Sequence, residues 1–314
     1  MSQPPAPRST DALRLSIVVP TRNRPGHAAE CARTILGGSG FEELVFVDQS
    51  DGDQTEQALA ALGDARLRCI RSPLRGATNG RNLGIEVTRG EIVAFTDDDC
   101  RVAPDWVQNI LAIFGSDPEA SVVCGRVRVP EEIQRRGFAI GFEPQVREWS
   151  GRFPPPDRDW GITANLAARR RVLAQVGNFD PILGPGAPLL CGEEPDLLFR
   201  VLRAGLKVVN AKEVLVDHLG AREIGPESRT LWRSYGFGTA AALFKHVRLG
   251  DGRAAVLYLR HLGVMARVVL SNLVRGRRPT GMGYVLALLG GARASFRFGV
   301  DRDRRLYVSA PSRS

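Results

Sequence analysis

The chain has 314 residues, 43% of them hydrophobic and 25% charged, enough to bury a large core and ordinary for a folded domain. Its net charge of +9 is uneven: residues 219–314 carry 17 basic and 5 acidic side chains (+12), against −3 for residues 1–218, so whatever the charge attracts meets the C-terminal third. The five cysteines (Cys31, Cys69, Cys100, Cys124, Cys191) are odd in number and form no C-x-x-C pair, which argues against a disulfide framework and a zinc knuckle and for a reducing, cytoplasmic setting.

"MSQPPAPRSTDA" lacks an apolar core, so residues 1–13 are expected to be a disordered leader and not a signal peptide. From there to about residue 220 strand and helix signals alternate, the pattern of a mainly parallel α/β sheet covered on both faces. "LSIVVP" (15–20) is a strand, and a helix after Pro25 ends at Gly37-Gly38. "LVFVD" (44–48) and "LRCI" (67–70) are strands flanking the helix in "DQTEQALAALG". A helix over 78–90 precedes the strand "EIVAFTD", and Pro104 opens the next helix, where its missing N–H costs nothing. A strand spans 121–129. Residues 181–195 form a long Gly/Pro-rich loop without periodicity, a mark of function inside a compact domain. From about 226 to 295 the signal is helical and amphipathic, and 301–314 look like a frayed tail. No stretch reaches the roughly 18 uninterrupted apolar residues of a spanning helix, because Arg260, His261 and Arg267 break the run at 254–274.

Three acidic sites stand out. Asp97, Asp98 and Asp99 leave an apolar strand at its carboxyl end, where ligands bind in open α/β sheets. Hard oxygen ligands so aligned suit Mg²⁺ or Mn²⁺ shared with a diphosphate; the competing explanation is a solvated loop that caps the following helix. Asp48 closes the second strand in the same way and could accept hydrogen bonds from a base or ribose, or simply face water. In "CGEEPDLLFRVLRAG", Glu194 is expected at the N-cap, with Pro195 and Asp196 in the first turn. Those acids either complement the helix dipole or present a general base, and Glu193 beside Glu194 exceeds what capping requires. His218 ends another apolar strand, as a structural histidine or a metal ligand.

Taken in order, "SIVVPTRNRP", "VFVDQSDGDQT", "RGATNGRNLGIEVTRGEIVAFTDDDC", "ANLAARRRVLAQVGNFDPILGPG", "GEEPDLLFRVLRAGLKVV" and "VDHLG" resemble glycosyltransferase family 2, inverting enzymes of the GT-A fold. The resemblance, which covers residues 15 to about 220, implies a GT-A catalytic domain over 14–222, a three-layer α/β sandwich; the residue pattern adds a basic amphipathic helical region (223–300) and a tail (301–314). The resemblance implies that Pro20, Thr21, Asn23 and Arg24 line a nucleotide pocket, that Asp48 reads the base, and that Arg75, Gly76, Asn79, Arg81 and Asn82 lie near base and ribose. Asp97 and Asp99 become the D-x-D pair, with Asp98 close to ribose or metal, Asn165 (with Ala164) shaping the sugar pocket, and His218 completing the metal site. Glu193-Glu194 falls on a pair whose second member is the base. The family usually has Asp where this chain has Glu194, so Glu193 stays a candidate.

The implied reaction moves a sugar from a nucleoside-diphosphate sugar to a hydroxyl acceptor, lipid-linked or otherwise, with Mg²⁺ or Mn²⁺, in cell-envelope or other glycoconjugate assembly. The basic helices could rest on an anionic membrane surface, placing the protein in the cytoplasm, peripheral to the inner face of the cytoplasmic membrane, or they could form an ordinary helical subdomain. A nucleotidyltransferase would need an N-terminal Gly-rich loop, which "PTRNRPG" fits poorly. No nucleic-acid partner is expected, since Trp232, Tyr235, Phe237 and Phe244 are not interleaved with basic residues as in a stacking platform.

Overall fold

A computed structural model describes residues 13–150, 153, 160–221 and 224–308. The leader expected at 1–13 lies outside the described residues except for Leu13. The chain runs through Leu15–Thr21 (β1), Pro25–Leu36 (α1), Glu43–Asp48 (β2), Gln54–Ala60 (α2), Leu67–Arg71 (β3), Ala77–Val87 (α3) and Ile92–Phe95 (β4). It continues through Cys100–Val102 (β5), Trp106–Ser116 (α4), Ala120–Arg128 (β6), Glu131–Arg136 (α5), Glu148–Trp149 (β7), Leu166–Arg169 (β8), Arg170–Val176 (α6), Glu193–Arg203 (α7) and Lys207–His218 (β9). Three long helices follow, Pro226–Arg248 (α8), Gly252–Val274 (α9) and Met282–Ala294 (α10), and then the two-stranded pair Gly299–Val300 (β10) and Tyr307–Val308 (β11).

The main sheet has the order β3-β2-β1-β4-β8-β6-β9-β5, with β7 also on β9. β3, β2, β1 and β4 run parallel, as do β6 and β9, while β8, β5 and β7 are antiparallel to their neighbours. The central parallel strands β1, β2 and β4 are buried at every position because helices cover both faces. Alternation persists underneath: Leu15, Ile17, Val19, Ile92 and Ala94 enter one core cluster, and Val18, Val93 and Phe95 the other. The chain moves outward from β1 to β2 and β3, then returns across β1 to β4. That reversal opens a crevice at the carboxyl ends of β1 and β4. α3 lies hard against β1 over it: a β-carbon at Gly84 would stand 2.2 Å from Val18 Cγ1, so only glycine permits this approach.

The basic region is a helical layer packed on the catalytic body through Phe199 of α7, Ala240, Leu243, Leu257, Tyr258 and Leu288. A buried charge network joins the two. Lys245 Nζ donates to Asp180 Oδ2 and lies equally close to Asp196 Oδ1, 2.6 Å in each case, and His246 Nε2 is 2.9 Å from the same Asp196 oxygen. Arg200 Nε donates to the other Asp196 oxygen at 3.0 Å. The Tyr307 amide also donates to Asp180 Oδ2, at 2.7 Å, and its hydroxyl donates to the carbonyl of Ala241.

Several sequence expectations change in detail. Residues 301–308 are not frayed, since buried Tyr307 anchors them; the rest of the expected tail lies outside the described residues. α7 begins at Glu193 with Gly192 as its N-cap, so Glu194 falls inside the first turn. α3 stops at Val87 and α4 starts at Trp106, after Pro104. β5 and β7, three and two residues long, are too short to leave a periodic signal. α9 is long and apolar enough to cross a membrane by length and composition alone, despite its arginines, with 22% of its apolar window buried.

Candidate active site

The carboxyl ends of β1 and β4, the turn before β8 (Ile162, Thr163, Ala164), the loop between α6 and α7, the start of α7 and one face of α8 surround a cleft of about 420 Å³. Asp97, Asp98 and Asp99 enter it from the end of β4. Thr21 Oγ1, at the end of β1, donates to Asp98 Oδ2 at 2.8 Å, and Arg24 Nη1 donates to Asp98 Oδ1 at 3.0 Å and Asp99 Oδ2 at 3.2 Å. Arg81 rises from α3 and donates to Asp97 Oδ1 at 2.7 Å, with its other nitrogen 3.5 Å from Glu193 Oε1. β5 pairs antiparallel with β9, which sets Cys100 opposite His218. His218 Nε2 is thereby 3.4 Å from Asp99 Oδ1, with Nδ1 fixed on the Ile140 carbonyl at 2.8 Å.

These contacts shift the acids unequally. Burial, and next the charge of Asp99, push Asp98 up to about 6. Burial would raise Asp99 as well, but the hydrogen bond and charge of His218 hold it below the usual carboxylate range. His218 rises in turn: burial opposes its charge, and Asp99 overrides that. Glu193 is raised well above a normal glutamate, by burial first and then by the charge of Glu194.

Asp99, Cys100 and His218 offer an oxygen, a sulfur and a nitrogen within 4.8 Å of one another. Burial pushes the Cys100 thiol well up, and its soft sulfur is a poor match for hard Mg²⁺ or Mn²⁺. Asp99 and His218 remain, a hard oxygen and an imidazole beside Asp98, and this donor set fits Mg²⁺ or, better, Mn²⁺.

Glu193 and Glu194 reach the cleft because the loop before α7 is tightly held. Asn82 donates to the Phe179 carbonyl at 2.9 Å and accepts from its amide at 3.1 Å, and Thr78 Oγ1 donates to the Leu183 carbonyl at 2.7 Å. Gly192 adopts φ +100, and a β-carbon there would stand 2.5 Å from the Gly238 carbonyl oxygen of α8. Glu194 Oε1 accepts from the Thr163 hydroxyl at 2.8 Å and its amide at 3.2 Å.

Of the predicted residues, Pro20, Thr21, Arg24, Gly76, Arg81, Asp97, Asp98, Asp99, Glu193, Glu194 and His218 line the cleft together. Others stand behind it. Asn165 is buried: its oxygen accepts from Trp106 Nε1 at 2.8 Å and its nitrogen donates to the Arg126 and Val214 carbonyls, so its amide braces the scaffold while Ala164 faces the cleft. Asn82 is likewise spent on Phe179. Asn23, at φ +55, exchanges two hydrogen bonds with Asp51 and joins the loops after β1 and β2. Arg75 also pairs with Asp51, and Asn79 Nδ2 donates to the Arg75 carbonyl. Asp48 is fully buried; Oδ1 accepts from the Ser50 amide at 2.9 Å, Arg71 lies 3.7 Å from Oδ2, and among the described residues Oδ2 has no hydrogen-bond partner.

Sequence reasoning missed Gln49, which fastens the following loop by donating to the Leu74 and Gly76 carbonyls, although its place after Asp48 signalled a loop residue at the carboxyl end of a strand. It missed Thr163, two residues before Asn165. Nothing signalled Leu231 and Tyr235, which enter the cleft from α8.

Comparison with known proteins agrees with this geometry. The family model described as glycosyl transferase family 2 matches residues 16–175. The chain is 25% identical over 232 residues to a glucosyl-dolichyl phosphate glucuronosyltransferase of Haloferax volcanii, covering 66% of this chain and 69% of that protein. It is 23% identical over 278 residues to a pre-mycofactocin glycosyltransferase of Mycobacterium tuberculosis, covering 87% of this chain and about half (53%) of that relative. Its fold is similar to that of the mannosyltransferase PcManGT from Pyrobaculum calidifontis in complex with GDP-Man and Mn²⁺, with a TM-score of 0.61, 17% identity, and coverage of 93% and 89% of the two chains. With a family match over half its length and a crevice of carboxylates at the ends of β1 and β4, the chain belongs to glycosyl transferase family 2 and is a glycosyltransferase of the GT-A fold.

Proposed function

We propose that the protein is an inverting, divalent-metal-dependent glycosyltransferase that moves a sugar from a nucleoside-diphosphate sugar to a hydroxyl acceptor in glycoconjugate assembly. The observation that carries this is the surplus of carboxylates in the cleft: Asp97, Asp98, Asp99, Glu193 and Glu194, five in all, face three arginines, Arg22, Arg24 and Arg81. Asp99 and His218, with Asp97 beside them, would hold the ion. Bound Mg²⁺ or Mn²⁺ would neutralise charge on the departing diphosphate, a contribution of several kcal/mol. Thr21 and Arg24 fix Asp98 at the cleft wall, and the unpartnered Asp48 oxygen invites a donor N–H from the base. Asn23, Arg75 and Asn79 hold the loops around that site, and Asn82 and Asn165 hold its floor.

Glu194 is the base in this reading. It keeps two donors from Thr163 and stays more accessible than Glu193, which is buried against Arg81 and raised. Glu194 takes the acceptor's proton, the acceptor oxygen bonds to the anomeric carbon from the opposite side, and the bond to the diphosphate breaks. The anomeric configuration inverts.

The helical layer favours a lipid-linked acceptor and a place at an anionic membrane surface. Leu259, Leu270 and Leu273 of α9 and Leu286 of α10 are 50–62% exposed amid a strongly basic segment. The names of the Haloferax and Pyrobaculum relatives, with a dolichyl phosphate and with GDP-Man and Mn²⁺, support the same direction. Thermal-shift screening of nucleoside diphosphates with Mn²⁺ or Mg²⁺ tests the donor side. Stabilisation that needs the metal, followed by release of nucleoside diphosphate and not pyrophosphate from a sugar nucleotide, is expected; metal-independent nucleotide binding sinks the reading.

A further inference from the structure

The cleft is walled on one side by the first turns of α8, through Leu231 and Tyr235. Arg229, Trp232 and Arg233 lie on the other side of the same turns, as the helical spacing of three and four residues requires. There they line a second cavity of about 710 Å³, closed by Val264 and Met265 of α9 and by Tyr284 of α10. That volume is within the roughly 300–1,000 Å³ of small-molecule sites, and the wall is mainly apolar and aromatic apart from its arginines, Thr280 and His261, whose Nε2 lies 3.0 Å from the Tyr284 hydroxyl.

Three observations converge on one class of occupant. Among the described residues, no carboxylate or other polar group partners Arg229 or Arg233, so two cations stand at an apolar cavity with no anion of the protein's own. The helices that form the cavity also expose Leu259, Leu270 and Leu286 to the outside, which suits a ligand drawn from a bilayer. The cavity and the active cleft use opposite faces of one helix and so lie about one helix width, ~10 Å, apart. A sugar and a phosphate span that width.

We infer that this cavity takes the hydrocarbon chain of the acceptor, a sugar-bearing lipid phosphate, with its phosphate at Arg229 and Arg233 and its sugar hydroxyl reaching Glu194. The inference rests on the hydroxyl-acceptor reading given above and names the acceptor's class. Trp232 and Tyr284 flank the chain, and the guanidinium groups give charge-assisted hydrogen bonds to phosphate oxygens.

Calorimetric titration of the full-length protein with farnesyl phosphate, farnesol and inorganic phosphate tests it. Farnesyl phosphate should bind saturably, farnesol about tenfold more weakly for want of the charge-assisted bonds, and inorganic phosphate not measurably at the same concentration. The double variant Arg229→Ala/Arg233→Ala should bring farnesyl phosphate down to the affinity of farnesol, and Val264→Trp, which fills the cavity, should abolish binding of both. Nucleoside diphosphate with Mn²⁺, titrated into the same variants, reports that the fold and cleft are intact. Absence of saturable farnesyl phosphate binding, or binding untouched by both variants, overturns the inference and leaves the donor-side reading standing. Failure of the wild type to bind nucleotide with Mn²⁺ would instead remove the reading on which the inference rests.

Discussion

Two buried charge clusters meet at helix α7, and they differ in one respect. At its first residues five carboxylates (Asp97, Asp98, Asp99, Glu193, Glu194) share the cleft with three arginines, Arg22, Arg24 and Arg81. One turn on, Asp196 and Asp180 meet Arg200 and Lys245, charge for charge, with His246 packed against them. Their acidities move in opposite directions. Asp98 is pushed up to about 6 and Glu193 rises with it, because burial and like charge act together. Asp196 is equally buried, yet Lys245 and Arg200 hold it far below the usual carboxylate range. A balanced cluster is a joint between two parts of a protein. An unbalanced one lacks a cation and therefore marks a site.

Substitutions can break that contrast. Asp99→Ala should cost the largest effect, about 1,000-fold or more in metal-dependent kcat/KM, since it removes a ligand from an interaction worth several kcal/mol. Steady-state kinetics with sugar nucleotide and Mn²⁺ checks this; a variant with normal turnover would make the acidic cluster structural. Lys245→Met should do the reverse, leaving cleft chemistry intact in the folded fraction while destabilising the protein by about 3–5 kcal/mol in denaturant titrations, because Asp180 and Asp196 lose their cation inside the fold.

A third change uses pH. Burial, offset only in part by Asp196, lowers His246 to about 4, below its ordinary 6.5, so the fold favours the neutral ring. Its stabilisation is present above pH 6.5 and is lost as pH falls from there through 4. Relative to His246→Gln, the wild type should lose on the order of 3 kcal/mol across that window. Equal pH profiles would show that the ring carries no such penalty. The smallest effect sharpens the comparison. Asp98 has the opposite sign: its contribution is present below pH 3.8 and is lost as pH rises through about 6. Asp98→Asn should therefore gain stability over the wild type as pH rises, by up to about 3 kcal/mol near neutrality, measured as the shift in denaturation midpoint.

How much of this was legible in the sequence follows the same division. The acids of the cleft sit at strand ends and at a helix start, in runs that local chain physics does not require, so Asp97–Asp99 and Glu193-Glu194 stood out before any fold was known. The balanced cluster did not. Asp196 and Lys245 are separated by 48 residues, and each alone looks like an ordinary first-turn acid or an exposed lysine. Asn82 and Asn165 had the right segments but the wrong employment, because which carbonyls a buried amide meets depends on packing between distant elements. The tail failed for a similar reason: its charged residues suggested solvent, and one tyrosine, Tyr307, decides its position.

In the proposed function the carboxylate surplus is met by a dication together with a nucleoside diphosphate. Titration of Mn²⁺ followed by electron paramagnetic resonance, with UDP or GDP present, measures that directly. A saturable manganese site that depends on nucleotide, disappears in Asp99→Ala and His218→Ala, and survives in Lys245→Met is the expected result. Manganese binding that is absent from the wild type, or unchanged when Asp99 is removed, would contradict it.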